Sequence, residues 1–116
     1  MIHDLNLRIR KALETVAKQK STISYRMLAI EAEIPGPQVI HKLTLCLEEI
    51  FREDHAKGEV SIAALAVSRG EPAIPRPGFF ILLRELGLYD GADHGPEAMA
   101  KHILLLEEIY EITADK

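Results

Sequence analysis

The only thiol in the sequence, Cys46, is the first candidate for nucleophilic chemistry. A reactive cysteine needs an electropositive setting that lowers its pKa. Cys46 instead lies between Leu43 and Ile50 on the apolar side of a helical repeat, and Glu48 and Glu49 follow it. Because an uncharged cysteine packs like a small hydrophobic residue, we predict that Cys46 belongs to the core and has no catalytic role.

The five histidines form no metal-binding or proteolytic motif. No two of them are spaced as His-x-x-x-His, and none lies in a His-Glu-x-x-His segment. They are His3, His41, His55, His94 and His102.

The segment YDGADHGPE, residues 89–97, is the densest group of possible ligands for a divalent cation. Carboxylate and imidazole ligands together suit several such ions, but the spacing does not match a calcium loop. We interpret the segment as a polar turn in which Asp93 or His94 caps the last helix, and we expect neither metal nor cofactor. The possible ligands would be Asp90, Asp93, His94 and Glu97.

The loop SRGEPAIPRPG, residues 68–78, contains glycines but no Gly-Lys-Ser/Thr, so it is not a phosphate-binding loop. No Gly-x-Ser-x-Gly segment marks a serine nucleophile. Glu71 and Glu85 are single carboxylates without a partner in the sequence pattern. We therefore predict that the protein is not an enzyme.

Polar and basic residues lie where a nucleic-acid-binding helix and loop would carry them. Gln38, His41 and Lys42 open a predicted helix, and glutamine and lysine there can reach base edges in a groove. Arg69 and Arg76 lie in the proline-rich loop and can contact phosphates. The alternative is that all five are ordinary surface residues. Further basic residues that can add backbone contacts are Lys18, Lys20 and Arg26.

The charge is distributed unevenly around a net value of −4. Residues 1–46 hold seven Lys/Arg and four Asp/Glu, whereas residues 47–116 hold seven Lys/Arg and fourteen Asp/Glu. The basic part is compatible with a polyanionic partner. The acidic part argues against strong nonspecific binding of nucleic acid, which needs many phosphate contacts.

Apolar spacing predicts a single domain, mainly α-helical with a minor β element. Ser24 is a good N-cap, and Pro37 suits the first position of the long central helix. The apolar run 60–68 predicts a strand, although its alanines also permit a helix. The predicted helices span residues 4–18, 25–33, 37–56, 78–86 and 96–113.

This order of elements resembles a winged helix, a variant of the helix-turn-helix. Over about residues 20–50 the sequence is similar to the winged-helix part of DNA alkyltransferase-like proteins. The resemblance implies that the helix at 37–56 enters a DNA groove and that the loop at 68–78 is the wing. The matching residues are Tyr25, Leu28, Ala29, Pro35 and Val39.

The chain departs from that family where the chemistry lies. The family carries Pro-Cys-His-Arg or Pro-Trp-His-Arg on a later loop, and this chain has Ile-Pro-Arg-Pro-Gly there. No cysteine, tryptophan or histidine occurs between Gly58 and Tyr89. Alkyl transfer is therefore excluded, and the resemblance concerns the scaffold alone.

Two apolar features suggest an interface. Phe79 and Phe80 are adjacent at a helix start and point about 100° apart, so one can fill the core while the other stays partly exposed. The last helix carries a wide apolar stripe that includes Leu106 and Tyr110. We predict a homodimer through these residues, and the alternative is that they close a compact core. The stripe consists of Met99, Ile103, Leu105, Leu106, Ile109, Tyr110 and Ile112.

No apolar run approaches the ~18 residues of a membrane helix, and the N-terminus MIHDLNLRIRK does not read as a secretion signal. We expect a cytoplasmic protein without a membrane partner. The predicted function is non-catalytic binding of nucleic acid, possible partners being duplex DNA and a second copy of the chain. The alternative is a protein–protein interaction module.

Overall fold

Three helices from the first half of the chain pack against one another around the core. The computed structural model of the protein describes residues 2–70 and 73–114. Its helices are α1 (Ile2–Lys18), α2 (Tyr25–Glu31), α3 (Val39–Ala56), α4 (Pro77–Glu85) and α5 (Gly95–Ala114). Helix α1 contacts α2 and α3, and α2 also contacts α3. Fully buried residues of these three helices include Ile9, Leu13, Leu28, Leu43 and Ile50.

Helix α2 begins at the predicted cap, and α3 begins later than predicted. The Ser24 Oγ accepts a hydrogen bond from the Met27 N–H at 3.1 Å. This bond satisfies one of the backbone N–H groups that have no partner within the helix at the N-terminus of α2. Pro37 does not occupy the first position of α3, because Gln38 adopts a left-handed φ of 56° and forms the N-cap. The first turn of α3 closes where the Lys42 N–H donates to the Gln38 carbonyl at 3.0 Å.

Glycines end α3 and α4, as their positions in the sequence predict. Gly58 and Gly87 both have a φ of 74°. Residues that carry a Cβ adopt this left-handed backbone conformation only at a cost in free energy, whereas glycine does not. The Gly58 N–H donates to the His55 carbonyl at 2.9 Å, and the Gly87 N–H donates to the Arg84 carbonyl at 3.1 Å. Each bond satisfies a carbonyl that the helix leaves without an internal partner.

The run 60–68 is not one strand, which corrects the prediction. Ile62–Leu65 form a 3₁₀ turn, and only Ala66–Val67 are extended, as strand β2. The turn forms because the Ser61 Oγ accepts a hydrogen bond from the Ala63 N–H at 3.2 Å and caps it. Strand β2 pairs in parallel with β1 (Ile23–Ser24), so that Ser24 lies opposite Val67.

A buried carboxylate connects α1, α3 and the 3₁₀ turn. Asp54 accepts a hydrogen bond from the Ser61 hydroxyl at 2.7 Å, and its other oxygen lies 3.0 Å from the Arg10 guanidinium. Because Asp54 is almost wholly buried, both contacts are needed to compensate for its lost hydration. The three elements are therefore held in one relative position by a charged group.

The fold class predicted from the sequence is confirmed: one compact domain, mainly α-helical with a minor β element. The Cα radius of gyration is 13.3 Å, close to the value of about 13 Å expected for a domain of this length. Within the described ranges, no helix is both long enough and apolar enough to cross a membrane.

Candidate functional site

The loop after β2 is closed on itself and displays an arginine on each limb. The Ser68 N–H donates to the Ile74 carbonyl at 2.8 Å, and Pro75 is buried beneath the second limb. Arg69 and Arg76 are exposed. Glu71, a candidate carboxylate of this loop, lies outside the described residues. The hydrogen bond and the buried proline therefore fix the base of the loop, and both arginines are exposed to solvent.

Tyr25 holds Arg76 in place. The Arg76 backbone N–H donates to the Tyr25 hydroxyl oxygen at 2.9 Å, and the guanidinium carbon lies 5.2 Å from the centre of the Tyr25 ring. This distance permits a cation–π interaction. Burial raises the pKa of Tyr25, against the opposing effects of the hydrogen bond from Arg76 and its charge. The phenol therefore stays protonated and keeps a proton that it can donate.

The parallel sheet brings a third arginine to the same end of the molecule. Parallel strands leave their sheet at the same edge, so the residues after Ser24 and those after Val67 emerge side by side. Arg26 follows β1 by two residues, and Arg69 follows β2 by two residues. Arg76 joins them through Tyr25. We call Arg26, Arg69 and Arg76 the arginine cluster.

No described carboxylate neutralises the arginine cluster. The salt bridges in residues 4–70 and 73–114 involve other cations, and none of the three cluster guanidinium groups has a described acidic group within 4.0 Å. By contrast, Arg52 lies 3.2 Å from Glu48 and 2.9 Å from Glu85. Among the described residues, the cluster arginines therefore differ from Arg52, whose charge is paired within the fold.

The predicted contact residues at the start of α3 differ in their availability. Gln38 and His41 are exposed, and the Gln38 side chain makes no capping hydrogen bond. Lys42 is half-buried, and its Nζ donates to the Pro35 carbonyl at 2.9 Å. Lys42 thus stabilises the turn before α3, while Gln38 and His41 face solvent.

The later part of α3 limits the positive surface. Glu48 and Glu49 are exposed on this helix, and Glu49 accepts a hydrogen bond from the Asn6 amide at 3.0 Å. Glu48 lies one helical turn after Thr44. The Thr44 hydroxyl donates to the Ile40 carbonyl at 2.8 Å. An extended polyanion lying along all of α3 would meet negative charge. The exposed polar residues Gln38 and His41 precede these carboxylates on the helix.

A cavity adjoins Arg76 of the arginine cluster, and a larger cleft lies elsewhere on the described surface. A cavity of about 380 Å³ lies between the start of α2, the middle of α3 and the first turn of α4, and both Tyr25 and Arg76 line it. A cleft of about 640 Å³ lies among α1, the end of α3 and α5. Lys18, a predicted phosphate contact, lines this cleft together with Glu14 and Glu108. We therefore leave Lys18 out of the cluster.

The candidate nucleophile is buried, and two of the candidate metal ligands bond to each other. Cys46 is buried, as predicted, and burial and the nearby Glu49 charge raise the pKa of its thiol. The Asp93 carboxylate accepts a hydrogen bond from the His94 ring at 2.8 Å. Among the residues that the structure describes, no three His, Cys, Asp or Glu side chains group into a possible metal site.

His102 has a structural role that the sequence pattern did not reveal. It is 2 % exposed, and its Nε2–H donates to the Ala64 carbonyl at 2.7 Å, which joins α5 to the 3₁₀ turn. The spacing of His102 from Ala98, Leu105 and Ile109, all on the buried side of α5, was the available signal. Burial lowers the pKa of His102, and the hydrogen bond to Ala64 opposes this shift.

Acidification is expected to destabilise the fold through His102. Because its folded pKa is below the unfolded value of about 6.5, the unfolded chain binds more protons between these two values. The free energy of unfolding therefore rises with pH across this window and falls as the pH drops below about 6.5. Urea denaturation of the wild type and of His102→Gln, from about pH 5 to 7.5, measures this. An equally steep decline in both proteins would contradict it.

The candidate interface residues divide between the core and the surface. Phe80 is fully buried, so it is a core residue and not an interface residue, which corrects the prediction. Phe79 is half-buried, and its ring meets that of Phe51 edge to face at 5.5 Å. Leu106 is half-buried on α5, and the Tyr110 hydroxyl donates to the Ser21 carbonyl at 2.8 Å.

The structure brings together some of the predicted residues and adds others. It joins Arg76 to Tyr25. The sequence pointed to Tyr25 only through the winged-helix resemblance, so Tyr25 is the main site residue that sequence reasoning missed. The parallel pairing of β1 and β2 also makes α2, which carries Arg26, and the loop start from the same end of the sheet. In comparisons with protein-family models, curated proteins and solved structures, nothing matches the chain.

Proposed function

We propose that the protein is a non-catalytic nucleic-acid-binding domain of winged-helix type that acts in the cytoplasm as a regulator. The observation that carries this proposal is the arginine cluster, which lacks described carboxylate partners and in which Arg76 is anchored by Tyr25. Guanidinium groups without a described carboxylate partner suit a phosphate backbone, because they donate two parallel hydrogen bonds to phosphate oxygens.

In the proposed complex, the arginine cluster binds phosphates and fixes the orientation of the domain. Gln38 and His41, exposed at the start of α3, then lie nearest to base edges. The carboxylates Glu48 and Glu49 on the later part of α3 keep the contact small. Three phosphate contacts predict weak to moderate affinity and a shallow dependence on salt.

Fluorescence anisotropy with a labelled DNA duplex tests the proposal. We expect binding at low ionic strength, with the logarithm of the association constant falling against the logarithm of salt concentration with a slope of about −3. This slope corresponds to about three phosphates neutralised by the cluster. An absence of binding at low salt would overturn the proposal, and so would an affinity that does not respond to salt.

Self-association is a second candidate function, and the exposed side of α5 favours it. Met99 and Ile103 are 38 % and 47 % exposed, and the half-buried Leu106 and Tyr110 continue the same side of the helix. An apolar row of this kind can bury itself against a second copy or another protein. Size-exclusion chromatography with light scattering should then show a dimer that Ile103→Glu dissociates. A wild-type monomer at high concentration would exclude the dimer.

A further inference from the structure

The cavity beside Tyr25 has the size and lining of a small-molecule site. Its volume of about 380 Å³ lies within the ~300–1,000 Å³ range of ligand pockets, which are mostly apolar with a few polar groups. Three separate elements, α3, the 3₁₀ turn and α4, supply its apolar walls. The apolar wall residues are Leu47, Phe51, Ala63, Pro77, Phe79 and Leu82.

The polar groups of the cavity favour a negatively charged ligand. Two of the four polar side chains that line the cavity already have hydrogen-bond partners. Thr44 donates to the Ile40 carbonyl, and Glu48 accepts a hydrogen bond from Arg52 at 3.2 Å. The Arg76 guanidinium has no described hydrogen-bond acceptor and lies against the Tyr25 ring. The phenolic proton of Tyr25 likewise has no described acceptor. Beside the Glu48 carboxylate, which is paired with Arg52, the cavity therefore offers two donors without a described acceptor, Arg76 and Tyr25.

Gly78 keeps one side of the cavity open. It lies in the first turn of α4 and lines the cavity, and a Cβ added there would meet no atom within 4 Å. Its φ is not in the left-handed region, so the backbone does not require glycine. Glycine is also among the least favourable residues in a helix. A larger side chain would therefore fit the backbone at this position, and because Gly78 lines the cavity we expect it to occupy the space of a ligand.

We propose that this cavity binds a small aromatic carboxylate. The edges and faces of Phe51 and Phe79 suit a planar ring, because aromatic groups pack in offset or edge-to-face contacts. The Arg76 guanidinium suits a carboxylate, to which it can donate two parallel hydrogen bonds. This site does not depend on the proposed nucleic-acid binding, and it can be tested with no nucleic acid present.

Three probes with one ring system test the charge preference. These are 1-naphthoate, 1-naphthamide and 1-naphthylmethylammonium, whose binding is measured by calorimetry and by naphthalene fluorescence. The wild type should bind the naphthoate about tenfold more tightly than the amide and should bind the ammonium least. Arg76→Gln should bind the naphthoate and the amide equally. Equal binding of all three probes by the wild type would overturn the proposal.

Gly78→Leu tests the location of the site. It should abolish binding of the naphthoate, while circular dichroism should show the helical content unchanged or higher. Ala100→Leu, which adds the same side chain at an exposed position of α5, should bind like the wild type. Unchanged binding by a folded Gly78→Leu variant would overturn the proposal, and so would equal losses in the two variants.

Discussion

Replacement of Phe80 by alanine is expected to lower the free energy of unfolding by about 3–5 kcal/mol. The Phe80 side chain is fully buried, and its ring lies 5.3 Å from that of Phe79 and 5.9 Å from that of Tyr89. Its removal loses buried apolar surface and leaves a cavity that these neighbours fill only partly. Domains are stable by about 5–15 kcal/mol, so this loss is a large share of the free energy of unfolding. Urea denaturation followed by circular dichroism measures the change.

The adjacent residue provides a matched control. Ile81 lies on the same helix and is 45 % exposed, so Ile81→Ala should cost about 1 kcal/mol or less. The loss in Phe80→Ala should not change with protein concentration, because Phe80 is a core residue. A loss equal to that of Ile81→Ala, or one that varies with protein concentration, would contradict the assignment of Phe80 to the core.

The double variant Arg69→Glu/Arg76→Glu is expected to lower the affinity for duplex DNA about 100-fold at low salt. Each reversal removes one phosphate contact and adds a repulsion. The salt slope should fall from about −3 to about −1, since only Arg26 of the arginine cluster remains. The fold should persist, because Tyr25 bonds to the backbone N–H of residue 76 and not to its side chain. Anisotropy titrations at several salt concentrations give both quantities.

Lys57 allows local contact to be distinguished from the effect of net charge. It is exposed in the turn after α3, about 27 Å along the helix from Val39. Lys57→Glu lowers the net charge by the same amount as Arg69→Glu or Arg76→Glu does. The loss of DNA affinity in Lys57→Glu is therefore compared with the loss in each of these single variants. We expect at most a twofold loss for Lys57→Glu and about tenfold for each arginine. Equal losses in all three would remove the arginine cluster as the contact surface.

The helices could be predicted because their signals are local. Apolar residues three and four apart define a buried stripe, and the observed helices lie within two residues of the predicted bounds at every end. Ser24 and Gly58 mark ends through bonds to residues three positions away. The position of Cys46 within such a stripe likewise sufficed to place it in the core. For the candidate site, the same reasoning found the exposed arginines of the loop but not their arrangement.

The sequence by itself determined the helical class, the helix ends and which residues of α3 carry charge, because these depend on contacts within a few residues. Only the tertiary structure decided that Tyr25 holds Arg76, 51 residues later, and that α2 and the loop start from the same end of the sheet. It also divided the run 60–68 between a turn and a short strand. Such pairings arise from packing between distant segments, which local spacing does not encode.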